Sequence, residues 1–92
     1  MIRSFRHKGL RRFFETGNTA GIQPSHARRL RAILTLMNAA NVIDDLGASR
    51  LRMHALKGDQ QGRWSVWVNA NWRVAFEFHD SHVYMLDYED YH

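Results

Sequence analysis

Cysteine is absent from the 92 residues. That excludes disulfides, zinc–thiolate sites and a thiol nucleophile, and agrees with a reducing cytoplasm. No apolar run approaches the roughly 20 residues needed to cross a bilayer. The basic opening Met1-Ile2-Arg3-Ser4-Phe5-Arg6-His7-Lys8 has no apolar signal region behind it. The expectation is a soluble, cytoplasmic protein without a membrane partner. Internal repeats and low-complexity tracts are also missing. Acid is scarce at the start: residues 1–31 hold eight of the 13 Lys and Arg but a single acid, Glu15.

The chain length leaves room for one domain, 1–92, and one core. A hydrophobic content of 45%, with three Trp, five Phe and three Tyr, is ample for that core and argues against disorder. The net charge of +4 conceals an asymmetry, because the remaining five bases after residue 31 face eight acids. A basic N-terminal third reads either as a docking surface for phosphates or as a well-solvated helix face.

Leu10, Phe13 and Phe14 at i, i+3 and i+4 predict a short amphipathic helix over Lys8 to Glu15. A second, longer helix is predicted from Pro24 or Ser25. Ala27, Leu30, Ile33, Leu34 and Met37 make its apolar stripe, and Arg28, Arg29 and Arg31 point away. Asn41 to Gly47 reads as a last helical turn or a loop. From Arg50 the period changes to two. Arg50–Ala55, Trp64–Val68, Trp72–Phe78 and a less clearly sided His82–Tyr88 are predicted strands, with Ile2–Arg6 as a short first one. The predicted fold is α+β: two N-terminal helices on one face of a mostly antiparallel four- to five-stranded sheet, in β-α-α-β-β-β-β order.

Alternation then divides the sheet. If Leu51, Met53, Ala55, Trp64, Val66, Val68, Trp72, Val74, Phe76 and Phe78 lie under the helices, the other face carries Arg50, Arg52, His54, Ser65, Trp67, Arg73 and Glu77. Guanidinium groups fit phosphates bidentately and an indole offers a stacking plane for an unpaired base. The plainer reading is a wet sheet face with ion pairs such as Arg73 with Glu77. The tail Tyr88-Glu89-Asp90-Tyr91-His92 packs two phenols, two carboxylates and an imidazole into five residues. It is either a frayed end or part of that face.

These segments resemble the HigB branch of the RelE-like toxins of bacterial toxin–antitoxin pairs. The resemblance covers essentially the whole chain. Its most specific parts are His54-Ala55-Leu56-Lys57-Gly58-Asp59, Gly62-Arg63-Trp64-Ser65-Val66, Asn71-Trp72-Arg73-Val74 and the tail Tyr88-Glu89-Asp90-Tyr91-His92. It implies a RelE-like fold and a ribosome-dependent endoribonuclease that cuts mRNA in the decoding site. It also implies a HigA-like helix-turn-helix antitoxin, through which alone the toxin would meet operator DNA. The family's active positions are held here by His54, Lys57, Arg73, Asp90, Tyr91 and His92. Gln60-Gln61 and the Arg-rich second helix depart from the pattern outside those positions.

Metal-free RNA cleavage needs a base for the 2′-hydroxyl, cations for the phosphate and an acid for the leaving 5′-oxygen. Arg73 and Lys57 suit the phosphate. His54 and His92 suit proton transfer, in either order. Asp90 would orient a histidine or share the proton work, and Tyr91 would position a base or the ribose. Arg11, Arg12, Arg28, Arg29 and Arg31 on the helices, with Arg50, Arg52 and Trp67 on the sheet, are the expected RNA-binding set. No cofactor or metal is expected: His79-Asp80-Ser81-His82 falls in a predicted hairpin turn, and there is no HExxH pattern. The competing function is a non-catalytic nucleic-acid-binding or corepressor module, which would have no need of Asp90-Tyr91-His92.

Overall fold

Helix α1 (Lys8–Thr16) starts where His7 turns its ring back on the chain. His7 Nδ1 accepts the Leu10 amide at 2.9 Å, a capping role usually filled by Ser, Thr, Asp or Asn. Gly17 ends the helix with φ 80, and its N–H returns to the Phe13 carbonyl. In the computed structural model, which describes residues 1–47 and 51–91, Leu10 and Phe13 are buried while Phe14 stays 36% exposed against Phe5. Gly9 meets Gly21 so closely that a Cβ on either would strike the other's backbone. That contact seats the first turn of α1 on the loop before the second helix.

A 3₁₀ turn at Pro24–His26 leads into α2 (Ala27–Ala39), whose Leu30, Ile33, Leu34 and Met37 are buried. The segment left open between turn and loop is a third helix, α3 (Ile43–Gly47). Asp45 accepts the Asn41 and Val42 amides at 2.9 and 3.2 Å, and those bonds hold its carboxyl below the usual range. Strands β1 (Met53–Ala55), β2 (Trp64–Asn69), β3 (Trp72–His79) and β4 (His82–Asp90) form an antiparallel sheet in sequential order. Arg50, where the first of these was predicted to begin, lies outside the described residues.

The N-terminal segment is less than the predicted strand: it makes two isolated parallel bridges, Ile2 with Val83 and Phe5 with Leu86. Its backbone nonetheless lines the outer edge of β4. Arg3 N–H donates to Val83 O at 2.7 Å and Leu86 N–H to Ser4 O at 3.0 Å. An edge that would otherwise be open to another chain is thereby occupied.

The sheet turns its Val66, Val68, Val74, Phe76, Val83 and Leu86 to the core. Ala55 departs from the expectation and is exposed, because the β1–β2 hairpin end carries it clear of the helices. The β3–β4 turn is Asp80-Ser81, with φ 54 and 65. Both residues are left-handed, as a two-residue type I′ hairpin demands, and neither is glycine.

Between the pairs Glu77–Tyr84 and Ala75–Asp87 the register slips by one residue. Met85, with φ 52, is the extra one. The bulge's backbone groups are satisfied from both sides: Met85 N–H donates to Ser4 Oγ at 2.8 Å and Met85 O accepts Arg63 Nη2 at 3.2 Å. Val83 and Leu86 can therefore both point inward, three residues apart on a strand.

Beneath the end of β4 sits a buried aromatic cluster. Tyr88 stacks on Trp72 at 4.5 Å, and His26 and His7 approach it edge-on. The Gln23 amide donates to the Tyr88 hydroxyl at 3.4 Å, and the same hydroxyl shares a 2.6 Å hydrogen bond with His26 Nδ1. Burial lowers the His26 pKa from 6.5 and raises that of Tyr88 from 10.0.

Gly9→Ala should destabilise the fold by about 1–3 kcal/mol through overpacking, whereas Ser81→Gly should stabilise it by up to about 1 kcal/mol by relieving the left-handed strain; urea denaturation reads both. The neutral form of His26 is favoured in the native state, so the unfolded chain binds the proton first as pH drops. Stability should be fully present above pH 6.5 and decline below it, towards the depressed native pKa. His26→Asn, which keeps a hydrogen-bonding group near the Nδ1 position, should flatten that part of the profile; an unchanged slope would assign it to other groups.

Candidate active site

Opposite the helices the sheet presents a face whose small residues are covered by long ones. Ser65 and Ala75 are cross-strand partners and are 6% and 1% exposed. Alternation places Arg63 and Arg73 on the same side, and both guanidinium groups are tied down. Arg63 Nη1 meets Glu77 Oε2 at 3.4 Å, and Arg73 Nε meets Glu89 Oε1 at 2.8 Å. The pairing of Arg73 with Glu77 considered above is thus replaced by two other pairs. The reason is the bulge at Met85, which brings Glu89 opposite Arg73.

Arg73 is the centre of the face. Its Cα partners are Trp67 on β2 and Glu89 on β4. Its guanidinium carbon lies 4.6 Å from the Tyr91 ring centroid. Tyr91 is held in line with β4, its N–H donating to Asn71 O at 2.8 Å, so the tail follows the sheet as far as Tyr91. Asp90 is exposed and is the Cα partner of Trp72, at the end of the strand. His92 lies outside the described residues.

His54, exposed on β1, is the Cα partner of Ser65, which pairs in turn with Ala75. It therefore stands one pleat along from Arg73 and two strands across, about 12 Å on the diagonal by ordinary strand spacing. The Arg73 guanidinium reaches the other way, to Glu89 and Tyr91 at the end of β4. Lys57 is exposed beyond the end of β1, where with Leu56, Gln61, Arg63 and Trp64 it lines a cleft. Arg73 and Tyr91 are in direct contact and His54 shares their face, whereas Lys57 lies in the separate cleft beyond β1.

The basic residues of the expected RNA-binding set are not gathered in one place. Arg29 reaches from α2 to Trp67, donating to its carbonyl at 3.2 Å with its guanidinium carbon 5.7 Å from the ring centroid. Arg52 lies 5.2 Å from the same centroid. These three join Arg73 in one corner. Arg31 covers Phe13 at 5.5 Å and Arg11 pairs with Glu15 at 3.3 Å, both at α1. Arg12 and Arg28 are exposed on α1 and α2. The indole predicted as a stacking plane already has cations against it.

Sequence reasoning missed Glu89, Arg63 and the His26–Tyr88 pair. The signal for Glu89 was the spacing of Val83, Leu86 and Tyr88, three and then two, which betrays a bulge and reverses the sidedness of the tail. Among the described residues no three His, Asp or Glu side chains are gathered as metal ligands would be, and no helix is long and apolar enough to cross a membrane.

A helix-backed antiparallel sheet with an arginine, a histidine and a tyrosine on its bare face is an arrangement suited to gripping and cutting a phosphodiester. Residues 3–92 match the family described as RelE-like toxin of type II toxin-antitoxin system HigB. Endoribonuclease HigB of Proteus vulgaris is 44% identical over 92 residues, covering all of both chains. The chain belongs to the HigB-like family, the RelE-like toxins of type II toxin–antitoxin systems. That class implies an antitoxin partner.

Arg29→Ala should lower the unfolding free energy by about 1 kcal/mol, and by roughly half as much when Trp67 is already Leu. Urea denaturation of the four proteins measures the coupling; equal losses in both backgrounds would show that the ring contributes nothing.

Proposed function

We propose that this toxin is an endoribonuclease that cuts mRNA in the decoding site of the ribosome and so inhibits translation. The observation that carries the reading is Arg73, sheltered on the bare sheet face under the Tyr91 ring, with His54 on the same side. A guanidinium held in place before substrate arrives stabilises charge without reorganising during the reaction.

The chemistry proposed is metal-independent general acid–base catalysis. One of His54 and His92 removes the 2′-hydroxyl proton, the 2′-oxygen forms a bond to phosphorus, and the bond to the 5′-oxygen breaks as the other histidine protonates it. Arg73 and Lys57 hold the charge gathering on the phosphoryl oxygens. Asp90 orients a histidine or shares the proton work, and Tyr91 positions a base or the ribose.

Arg29, Arg52 and Trp67 extend the cationic surface beside Arg73 and support a path for the RNA backbone. Arg11, Arg12, Arg28, Arg31 and Arg50 complete the proposed RNA-binding set. A cytoplasmic location and a HigA-like helix-turn-helix antitoxin, which would carry any contact with operator DNA, belong to the same reading.

Toeprinting of a translated mRNA tests it. The protein should produce new cleavage stops on programmed ribosomes, and the stops should persist in excess chelator where ribosome integrity is verified. Arg73→Ala should reduce cutting by about 100-fold or more, the scale of losing one preorganised charge stabiliser. His92→Ala should act likewise. Undiminished cutting by both variants would remove the assignment, and no stops from the wild type would remove the function.

A further inference from the structure

We propose that Glu89 is a positioning residue for the cleavage, holding Arg73 by Nε so that the two terminal amino groups of the guanidinium face the phosphate. The inference rests on the reading of Arg73 as the phosphate-binding cation. Its basis is a contrast between two arginines of the bare sheet face, Arg63 and Arg73.

Arg63 is engaged at the end of its fork. Nη1 goes to Glu77 and Nη2 to the Met85 carbonyl, and its Nε is buried without a partner. Such an arginine has spent the edge that recognises phosphate on holding the sheet together. Its side chain is 11% exposed.

Arg73 is engaged the other way round. Nε carries the 2.8 Å bond to Glu89, and among the described residues neither Nη1 nor Nη2 has a hydrogen bond. The pair sits between direct cross-strand partners, so the two backbones fix the distance the side chains must bridge. Tyr91, two residues beyond Glu89, lies against the guanidinium. The in-plane bond at Nε and the ring contact restrain different motions, rotation of the fork and tilt of its plane. What remains is the Nη1–Nη2 edge, the geometry that binds two phosphate oxygens at once.

A carboxylate beside an incoming phosphate costs some repulsion. A charge-assisted bond, about twice as strong as a neutral one, is what holds a long side chain against that cost. With 18% and 29% of their side chains exposed, Arg73 and Glu89 are sheltered enough for a defined geometry and open enough for a substrate.

The experiment uses the full chain and single-turnover and steady-state cutting of mRNA on programmed ribosomes. The proteins are wild type, Arg73→Ala, Glu89→Ala, Glu89→Gln and Glu89→Asp, with thermal unfolding as the control. Glu89→Ala should lower kcat by about 10- to 100-fold with little change in KM, since the ground state still binds while the oriented fork is lost. Glu89→Gln keeps an oxygen that accepts from Nε and should recover activity to within about fivefold of wild type. Glu89→Asp keeps the charge but withdraws the carboxylate, and should resemble Glu89→Ala; it carries the test if the alanine variant does not fold.

If Arg73→Ala is inactive while Glu89→Ala cuts like wild type, or faster, this inference alone fails. Glutamine as damaging as alanine would likewise overturn it, because the bond geometry would not be what matters. If Arg73→Ala cuts normally, the phosphate role of Arg73 fails and this proposal falls with it.

Discussion

Met85 is one residue more than β3 can match, and the sidedness of everything after it depends on that insertion. Tyr84 lies opposite Glu77, on the bare face. Were the period of two to continue from there, Leu86 and Tyr88 would face solvent and Glu89 and Tyr91 would point under the helices. The bulge reverses this. A left-handed methionine costs of the order of 1–2 kcal/mol. Against it stand the burial of Leu86 at 0% and Tyr88 at 4% exposure, each of a size that contributes about 1.5–3 kcal/mol. Ser4 and Arg63 satisfy the bulge's backbone groups, so the distortion leaves no orphaned donor or acceptor there.

The same strand is thus gripped on both faces near its end. On the helix side Tyr88 is clamped by Trp72, His26 and the Gln23 amide. On the bare side Glu89 is bonded to Arg73, and Tyr91 lies over that guanidinium. A C-terminal segment ordinarily frays; this one is a strand with a packed core below it and an ion pair above. For the function proposed above this amounts to preorganisation, since groups fixed in the resting protein need not be gathered during a reaction.

Charge is used unevenly. Of the basic residues in the first third, Arg29 is drawn into the corner beside Arg73 through Trp67, whereas Arg11 and Arg31 are taken up by Glu15 and Phe13 at α1. Two of the sheet's arginines similarly part ways, Arg63 serving the fold and Arg73 facing outward. Equal charges on one surface are therefore not equal sites; what distinguishes them is which edge of the guanidinium is already bonded.

The sequence by itself determined the α+β class, the first two helices, the four strands and the face to which Arg73 and His54 belong. These follow from local periodicity, and in Val66, Val68, Val74 and Phe76 the inward pattern runs without interruption. Tertiary structure alone decided the rest. Ile2–Arg6 became an edge lining with two bridges, since its backbone-to-backbone bonds to β4 fall at Val83 and Leu86, on either side of the bulge. Arg73 took Glu89 in place of Glu77, because a bulge shifts a whole strand end by one residue and no pairing rule read along a single strand contains it. His26 and Tyr88, 62 positions apart, could meet only once α2 and β4 had packed, for a contact between distant segments is a property of the fold and not of either segment.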